Sequence, residues 1–286
     1  MFIYHSTTCQ VDMIHASLCS GIGGFDLAAR WAGWGNLFNC ETDPFCRTVL
    51  KYHFPDAQQY GDIRTTDFTV WRDRIDVLTG GFPCQPFSVA GKRKGTGDDR
   101  YLWPEMLRAV REIRPRWVVG ENVLGIVYWS NGLVFEQVCV DLEDEGYDVQ
   151  PFVLPACGVD APHRRDRVWF VAHCADSGSE DMCRREDGLH AAGFASHTES
   201  AGLPPCHERQ RQEQPRRGNE RVGIPPDWSD FPTQSPVCRR DDGFSGRLVG
   251  ITFPRWRKES IKAYGNAIVP QVALRIFGTI EKIDNL

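Results

Sequence analysis

Short apolar runs alternate with amphipathic stretches through residues 14 to 172. Ile14 to Leu18, Gly35 to Cys40, Ile75 to Leu78, Arg116 to Gly120 and Val168 to Ala172 read as buried strands. Tyr147 to Leu154 alternates with the two-residue period of a half-covered strand. Between these runs, Phe25, Leu27, Ala28, Trp31 and Ala32 fall near helical spacing. So do Leu107, Val110 and Ile113 within Trp103 to Ile113, and the apolar positions of Leu133 to Leu142. Gly61-Asp62-Ile63 closes a third strand-helix unit, and Glu121-Asn122-Val123 is expected at the exit of the fifth strand. The alternation predicts an α/β fold: a doubly wound, Rossmann-like sheet with one crevice at the carboxyl edge of its strands.

Past Cys174 the texture changes. Residues 174–247 are rich in Ser, Gly, Pro, Arg and His, with turn signals at Pro204-Pro205 and Pro225-Pro226. This stretch reads as a small irregular domain or a partly ordered insertion. From Ile261 to Ile280 the apolar content returns, with a helix through Val272, Leu274, Ile276 and Phe277. The expected organisation is a main domain of residues 1–173, completed by 248–286, and a small domain of residues 174–247.

Chemistry enters at the loops. Gly80-Gly81-Phe82-Pro83-Cys84-Gln85-Pro86-Phe87-Ser88 follows a strand, where open α/β sheets bind ligands. The glycines allow a sharp turn and the prolines stiffen it, so the Cys84 thiol is presented, not packed. Residues 89–100 carry Lys92, Arg93, Lys94 and Arg100 and read as a basic lid. Net charge is −5, which excludes a wholesale basic coat, yet residues 88–116 hold eight bases against four acids. That strip suits a polyanion or forms a solvated helix face.

Ser20-Gly21-Ile22-Gly23-Gly24-Phe25, between the first strand and its helix, describes a nucleotide-type site. The dinucleotide fingerprint would need a third glycine where Asp26 stands, which disfavours a nicotinamide or flavin enzyme. Glu41, at the end of the next strand, either accepts hydrogen bonds from ribose hydroxyls or caps the helix starting near Asp43. The eleven cysteines include no CxxC pair and read as reduced thiols. Cys174, Cys183, His190, His197, Cys206 and His207 match no zinc-knuckle spacing, so no metal is expected. No run reaches the length of a membrane span and Met1 to Asp12 lacks the pattern of a secretory signal, which predicts a cytoplasmic protein. Met13 is an alternative start.

Taken in order, Ser20 through Phe25, Glu41, Gly61-Asp62-Ile63, Gly80 through Ser88, Glu121-Asn122-Val123, Arg165-Asp166-Arg167 and Gly265-Asn266-Ala267 with Val269-Pro270 resemble the DNA (cytosine-5) methyltransferases. The likeness is to the monospecific enzymes of bacteria and their viruses and spans nearly the whole chain outside residues 174–247. It implies a sheet that binds S-adenosyl-L-methionine, and a Cys84 thiolate that attacks a cytosine flipped out of duplex DNA. Glu121 would protonate ring nitrogen 3, Arg165 would stabilise the carbonyl oxygen with Arg167 in register beside it, and Asn122 would order the loop. Ser20, Gly21, Ile22, Gly23, Gly24 and Phe25 are implied at the methionine and ribose region, Glu41 and Thr42 at the ribose, Asp62 and Ile63 at the adenine. Phe82, Pro83, Asn266 and Ala267 complete the cofactor pocket.

Gln85, Ser88, Lys92, Arg93, Lys94 and Arg100 are implied to contact DNA. Residues 174–247 take the place of a target recognition domain, and their arginines suit phosphate or guanine contacts. A monomer acting beside a separate restriction endonuclease is implied. Three positions depart from the family pattern: Ser17 stands for an acid, Thr42 for a bulky apolar residue and His163 for Gln. A transfer RNA cytosine-5 methyltransferase and an inactive DNA-binding relative remain as alternatives.

Overall fold

The computed structural model describes residues 13–83, 101–174 and 253–284. Seven strands among them form one sheet: β1 (Ile14–Leu18), β2 (Gly35–Cys40), β3 (Gln58–Tyr60), β4 (Val77–Gly80), β5 (Trp117–Val123), β6 (Tyr147–Leu154) and β7 (Arg167–Cys174). Their spatial order is β3-β2-β1-β4-β5-β7-β6. β1 pairs in parallel with β2 and β4, and β2–β3 and β4–β5 are also parallel. β7 runs antiparallel to both β5 and β6. Strand order therefore reverses between β1 and β4. Loops leaving these two strands diverge and open a crevice at their carboxyl ends.

Successive residues of the central strands feed opposite faces of the sheet, as the two-residue strand period requires. Leu78, Val118 and Phe170 join one core with Met106, Val110 and Ile113 of α3 (Trp103–Ile113). Their neighbours Val77, Val119 and Trp169 join the other, with Phe25, Ala28 and Ala29 of α1 (Gly24–Trp31). Both faces are covered, so these strands read as continuous apolar runs.

α2 (Pro44–His53) begins at a cap that the sequence spells out: Asp43 Oδ1 accepts the Phe45 N–H at 2.9 Å, and Pro44 opens the helix. α4 (Leu133–Asp144) packs Val138 and Leu142 into the first core. The terminal apolar stretch is two helices, α5 (Phe253–Asn266) and α6 (Pro270–Asp284), because Pro270 lacks an N–H and starts a new helix. α6 seats Val272, Ala273, Ile276 and Phe277 against α1. Phe277 stacks on Trp34 with ring centroids 4.4 Å apart, and the Trp34 indole N–H donates to Glu281 at 2.6 Å.

Three strands differ in their limits from the sequence reading, β7 by reaching one residue further back, to Arg167, and two further on, to Cys174. β4 starts at Val77 and takes in Thr79 and Gly80. β5 runs on to Val123, so Glu121 and Asn122 lie within a strand and not at its exit. The reason is non-local: β7 pairs Trp169 with Glu121, Val168 with Asn122 and Arg167 with Val123.

Candidate active site

A cleft of about 910 Å³ lies where the strand order reverses, lined from the carboxyl ends of β1, β2, β4 and β5 and by α5. On its β1–β2 wall, Glu41 accepts the Gly21 N–H through Oε2 and the Asp43 N–H through Oε1, both at 2.8 Å. The helix cap is Asp43, so Glu41 faces the cleft instead of closing α2. Each carboxylate oxygen keeps a second lone pair for a ligand hydroxyl. Gly21 adopts φ +56° with nothing within 4 Å of where a Cβ would stand, which leaves open space beside the carboxylate. Thr42, Gly61 and the buried Ile63 continue this wall. Hydroxyl acceptors beside an apolar wall, at a glycine turn, fit the ribose and base of an adenosine-type cofactor.

The rest of the glycine turn supports the cleft from behind. Gly23 sits at φ +84° with Phe54 Cε2 only 2.6 Å from a Cβ position, and Gly24 meets Ile268 Cγ1 at 2.5 Å in the same sense. Any side chain there would force the turn off α2 and the C-terminal segment. Ile22 packs with Phe45 and Ala263. Phe25, expected at the methionine region, is buried in the second core edge-on to Trp169 at 5.8 Å. Ser20 is buried in hydrogen bonds to Ser17 and Cys40. Asp62 turns its carboxylate to Arg64 at 2.7 Å, a pairing that lowers its pKa, and leaves Gly61 and Ile63 to line the cleft.

The β4–β5 wall carries the titratable groups. Glu121 is 8% exposed, and its Oε1 pairs with Arg167 Nε at 3.0 Å. Burial raises its pKa to about 7 against the opposing pull of Arg167 and Arg165. A Cβ on Gly81, next door across the strand pair, would stand 3.6 Å from Glu121 Oε2. Asn122 donates through Nδ2 to the Phe82 carbonyl at 3.0 Å and accepts the Val123 N–H at 2.9 Å. The acid is thereby tied to the chain that leads, three residues past Gly81, to Cys84. Phe82 and Pro83 line the cleft, Phe82 with its ring 5.0 Å from that of Trp103.

Arg165 and Arg167 part company. Arg167, the first residue of β7, reaches Glu121, whereas Arg165, at φ +41°, donates through Nη2 to the carbonyls of Gly265 at 2.8 Å and Ala267 at 2.5 Å. The cation set against the acid is Arg167. Arg165 instead holds down the end of α5, whose Gly265 and Asn266 line the cleft, while Ala267 lies outside its lining. Cys84, Gln85, Ser88, Lys92, Arg93, Lys94, Arg100 and residues 175–247, with every zinc candidate except Cys174 of β7, lie outside the described residues.

Sequence reasoning missed Cys19, Asp43, Tyr128, Trp129 and Lys262, all of which line the cleft. Lys262 binds Asp43 at 2.6 Å and stands one helical turn before Asn266, a spacing that could have flagged it. Cys19 follows the last residue of β1, but burial pushes its thiol pKa far up, away from reactivity.

Residues 13–210 match the profile of a family described as C-5 cytosine-specific DNA methylase. The chain is 37% identical over 158 residues to the Type II methyltransferase M.Eco47II of Escherichia coli, covering 54% of this chain and 38% of that protein. It is 36% identical over 174 residues to M.AquIA of Picosynechococcus sp., covering 55% of this chain and 70% of that protein. To M.PspPI of Psychrobacter sp. it is 34% identical over 179 residues, covering 59% and 43% respectively. Two of these three matches thus span less than half of the relative. Among the described residues no helix is long and apolar enough to cross a membrane. With more than half of its length matched by the profile, the chain belongs to the C-5 cytosine-specific DNA methylase family.

Proposed function

We propose that the chain transfers a methyl group from S-adenosylmethionine to carbon 5 of a cytosine flipped out of duplex DNA, with Cys84 as covalent nucleophile. The observation that carries this reading is the buried Glu121, paired with Arg167 and tied through Asn122 to the segment leading to Cys84, across one cleft from Glu41. Carbon 5 of cytosine is too weak a nucleophile to be methylated unaided. Addition of the Cys84 thiolate at carbon 6 pushes electrons toward nitrogen 3 and the carbonyl oxygen. Glu121, with a pKa near 7, is suited to give nitrogen 3 a proton. Arg167 stands beside that acid as the cation for the carbonyl oxygen, and Arg165 adds a second positive charge nearby. Once carbon 5 carries the methyl, loss of its proton to a water-borne base, expulsion of the Cys84 sulfur and return of the nitrogen 3 proton to Glu121 restore the aromatic ring.

S-adenosylmethionine supplies an electrophilic methyl on a sulfonium. Glu41 and Thr42 are the proposed ribose contacts, Ile63 the adenine wall, and Phe82, Pro83 and Asn266 the remaining enclosure. The basic segment from Lys92 to Arg100 would close on the extruded nucleotide, whose unstacking costs a few kcal/mol, and residues 174–247 would read the target sequence. The enzyme would act as a cytoplasmic monomer, and its marking of DNA against a separate restriction nuclease is the role that the relatives' designation as Type II methyltransferases supports.

Incubation with labelled S-adenosylmethionine and either duplex DNA or transfer RNA tests the reading. Label should enter DNA at cytosine. Label entering only transfer RNA, or neither, would refute it.

A further inference from the structure

Under the glycine turn lies a buried polar network that the chemistry above does not use. Asp26, in the first turn of α1, has 0% exposure. Ser17 Oγ donates to its carboxylate, 3.0 Å from both oxygens. Ser17 Oγ is also 2.6 Å from Ser20 Oγ, which accepts the Cys40 N–H at 3.1 Å. One direction of donation satisfies every member: Cys40 N–H to Ser20, Ser20 to Ser17, Ser17 to the carboxylate. With the Asp26 carboxylate ionised, this chain of donors ends on it.

Each link joins a different piece of the fold. Cys40 ends β2, Ser20 opens the glycine turn, Ser17 belongs to β1 and Asp26 to α1. A second arm leaves the same residue: Asn36 Nδ2 donates to the Asp26 carbonyl at 2.9 Å. Asn36 Oδ1 is 2.5 Å from His15 Nδ1, and His15 Nε2 is 2.9 Å from Thr79 Oγ1 of β4. Asp26 is thus the joint between α1 and three of the cleft's strands, β1, β2 and, through His15, β4.

The network reaches the cleft wall, which Cys40 itself lines. Cys40 precedes Glu41 and Ser20 precedes Gly21, and Gly21 and Glu41 are the pair bonded at 2.8 Å on the cleft wall. Whatever sets the spacing of Cys40 and Ser20 sets the spacing of that pair. Buried hydroxyls with several acceptors in reach, such as the Ser17 and Cys40 carbonyls 3.1 and 3.3 Å from Ser20 Oγ, need a terminal acceptor to hold one arrangement.

We propose that Asp26 is a positioning residue for donor binding: through Ser17 and Ser20 it fixes the Gly21 turn against the Glu41 strand end. This rests on the donor site proposed above. The substitution Asp26→Asn keeps the shape, removes the charge and puts an N–H donor in place of one of the two oxygens that face Ser17 Oγ. Ser17→Asp combined with Asp26→Ser keeps the bond and exchanges its two ends, and Ser17→Ala cuts the chain at its middle.

The test is calorimetric binding of S-adenosylmethionine and S-adenosylhomocysteine to the full chain, well below each variant's melting temperature, with donor and DNA kinetics in parallel. Asp26→Asn and Ser17→Ala should each weaken donor binding by about tenfold. The KM for donor should rise equally, with kcat at saturating donor and the KM for DNA changed by less than about twofold. The exchanged pair should bind donor within about threefold of wild type. Unaltered donor binding in Asp26→Asn or in Ser17→Ala would overturn the proposal, as would a loss shared equally by kcat and the KM for DNA. Failure of the wild-type chain to bind either compound would instead refute the donor site itself.

Discussion

Glu41 and Glu121 are carboxylates on opposite walls of one cleft, held by different means. Glu41 accepts two backbone N–H groups and fixes the path of the chain around it. Glu121 is buried against a side-chain cation, Arg167, and burial outweighs that cation, so its pKa lies near 7. A group meant to bind a ligand is best tied to the backbone, which does not rearrange. One meant to exchange a proton needs a pKa near the working pH. Four substitutions probe this division, and Cys84→Ser has the largest expected effect: methyl transfer should fall to background while donor binding stays at the wild-type level. Undiminished transfer in a filter-binding assay would remove the nucleophile.

Next comes Glu121→Gln, which should lower kcat by about 10²- to 10⁴-fold with little change in the KM for donor. Because the wild-type acid is half-ionised near pH 7, its kcat/KM should decline as pH rises through that value, and Glu121→Gln should flatten the limb. Stability gives an independent reading. A folded-state pKa raised from 4.5 to about 7 means that the native chain holds a proton the unfolded chain has released. That contribution is complete below about pH 4.5 and is lost as pH rises through 7, at most about 3 kcal/mol. Melting temperatures should favour Glu121→Gln over wild type increasingly from pH 5 to pH 8. Asp26, raised to about 7 by burial, acts in the same direction, whereas the buried His15, lowered to about 4, makes the fold less stable as pH falls from 6.5 toward 4.

On the other wall, Glu41→Gln should raise the KM for donor by about ten- to a hundredfold, since hydrogen bonds to a charged acceptor are the stronger kind. Its kcat should stay within about threefold of wild type. Equal losses in kcat for Glu41→Gln and Glu121→Gln would erase the distinction between the walls. The smallest effect belongs to Lys262→Ala. Its ion pair with Asp43 is largely exposed, so less than about 1 kcal/mol of stability and a fewfold change in donor KM are expected from melting and steady-state kinetics.

The same contrast explains what could be read in the sequence. The strands and helices around the first wall follow local signals: buried apolar runs, the glycine turn, and Asp43-Pro44 opening α2. The place of Glu41, just past the end of β2, was therefore legible with its neighbourhood. The second wall depends on pairings between distant residues. That β5 continues through Glu121 and Asn122 follows from its antiparallel partner β7, which no local periodicity announces. Which arginine faces Glu121 was equally hidden: Arg165 and Arg167 are two residues apart, and only the bonds from Arg165 to Gly265 and Ala267 separate their tasks. From the sequence Asp26 reads only as the residue that spoils a dinucleotide motif, because its partner Ser17, and Ser20 beyond it, come within reach only once the turn has folded.

The covalent step is tested most directly with duplex DNA carrying 5-fluorocytosine at the target position, mixed with the chain and S-adenosylmethionine. Fluorine cannot leave as the carbon 5 proton does, so the wild-type chain should migrate with the DNA on a denaturing gel and Cys84→Ser should not. A wild-type chain that methylates ordinary cytosine yet never becomes trapped would contradict attack by the Cys84 sulfur.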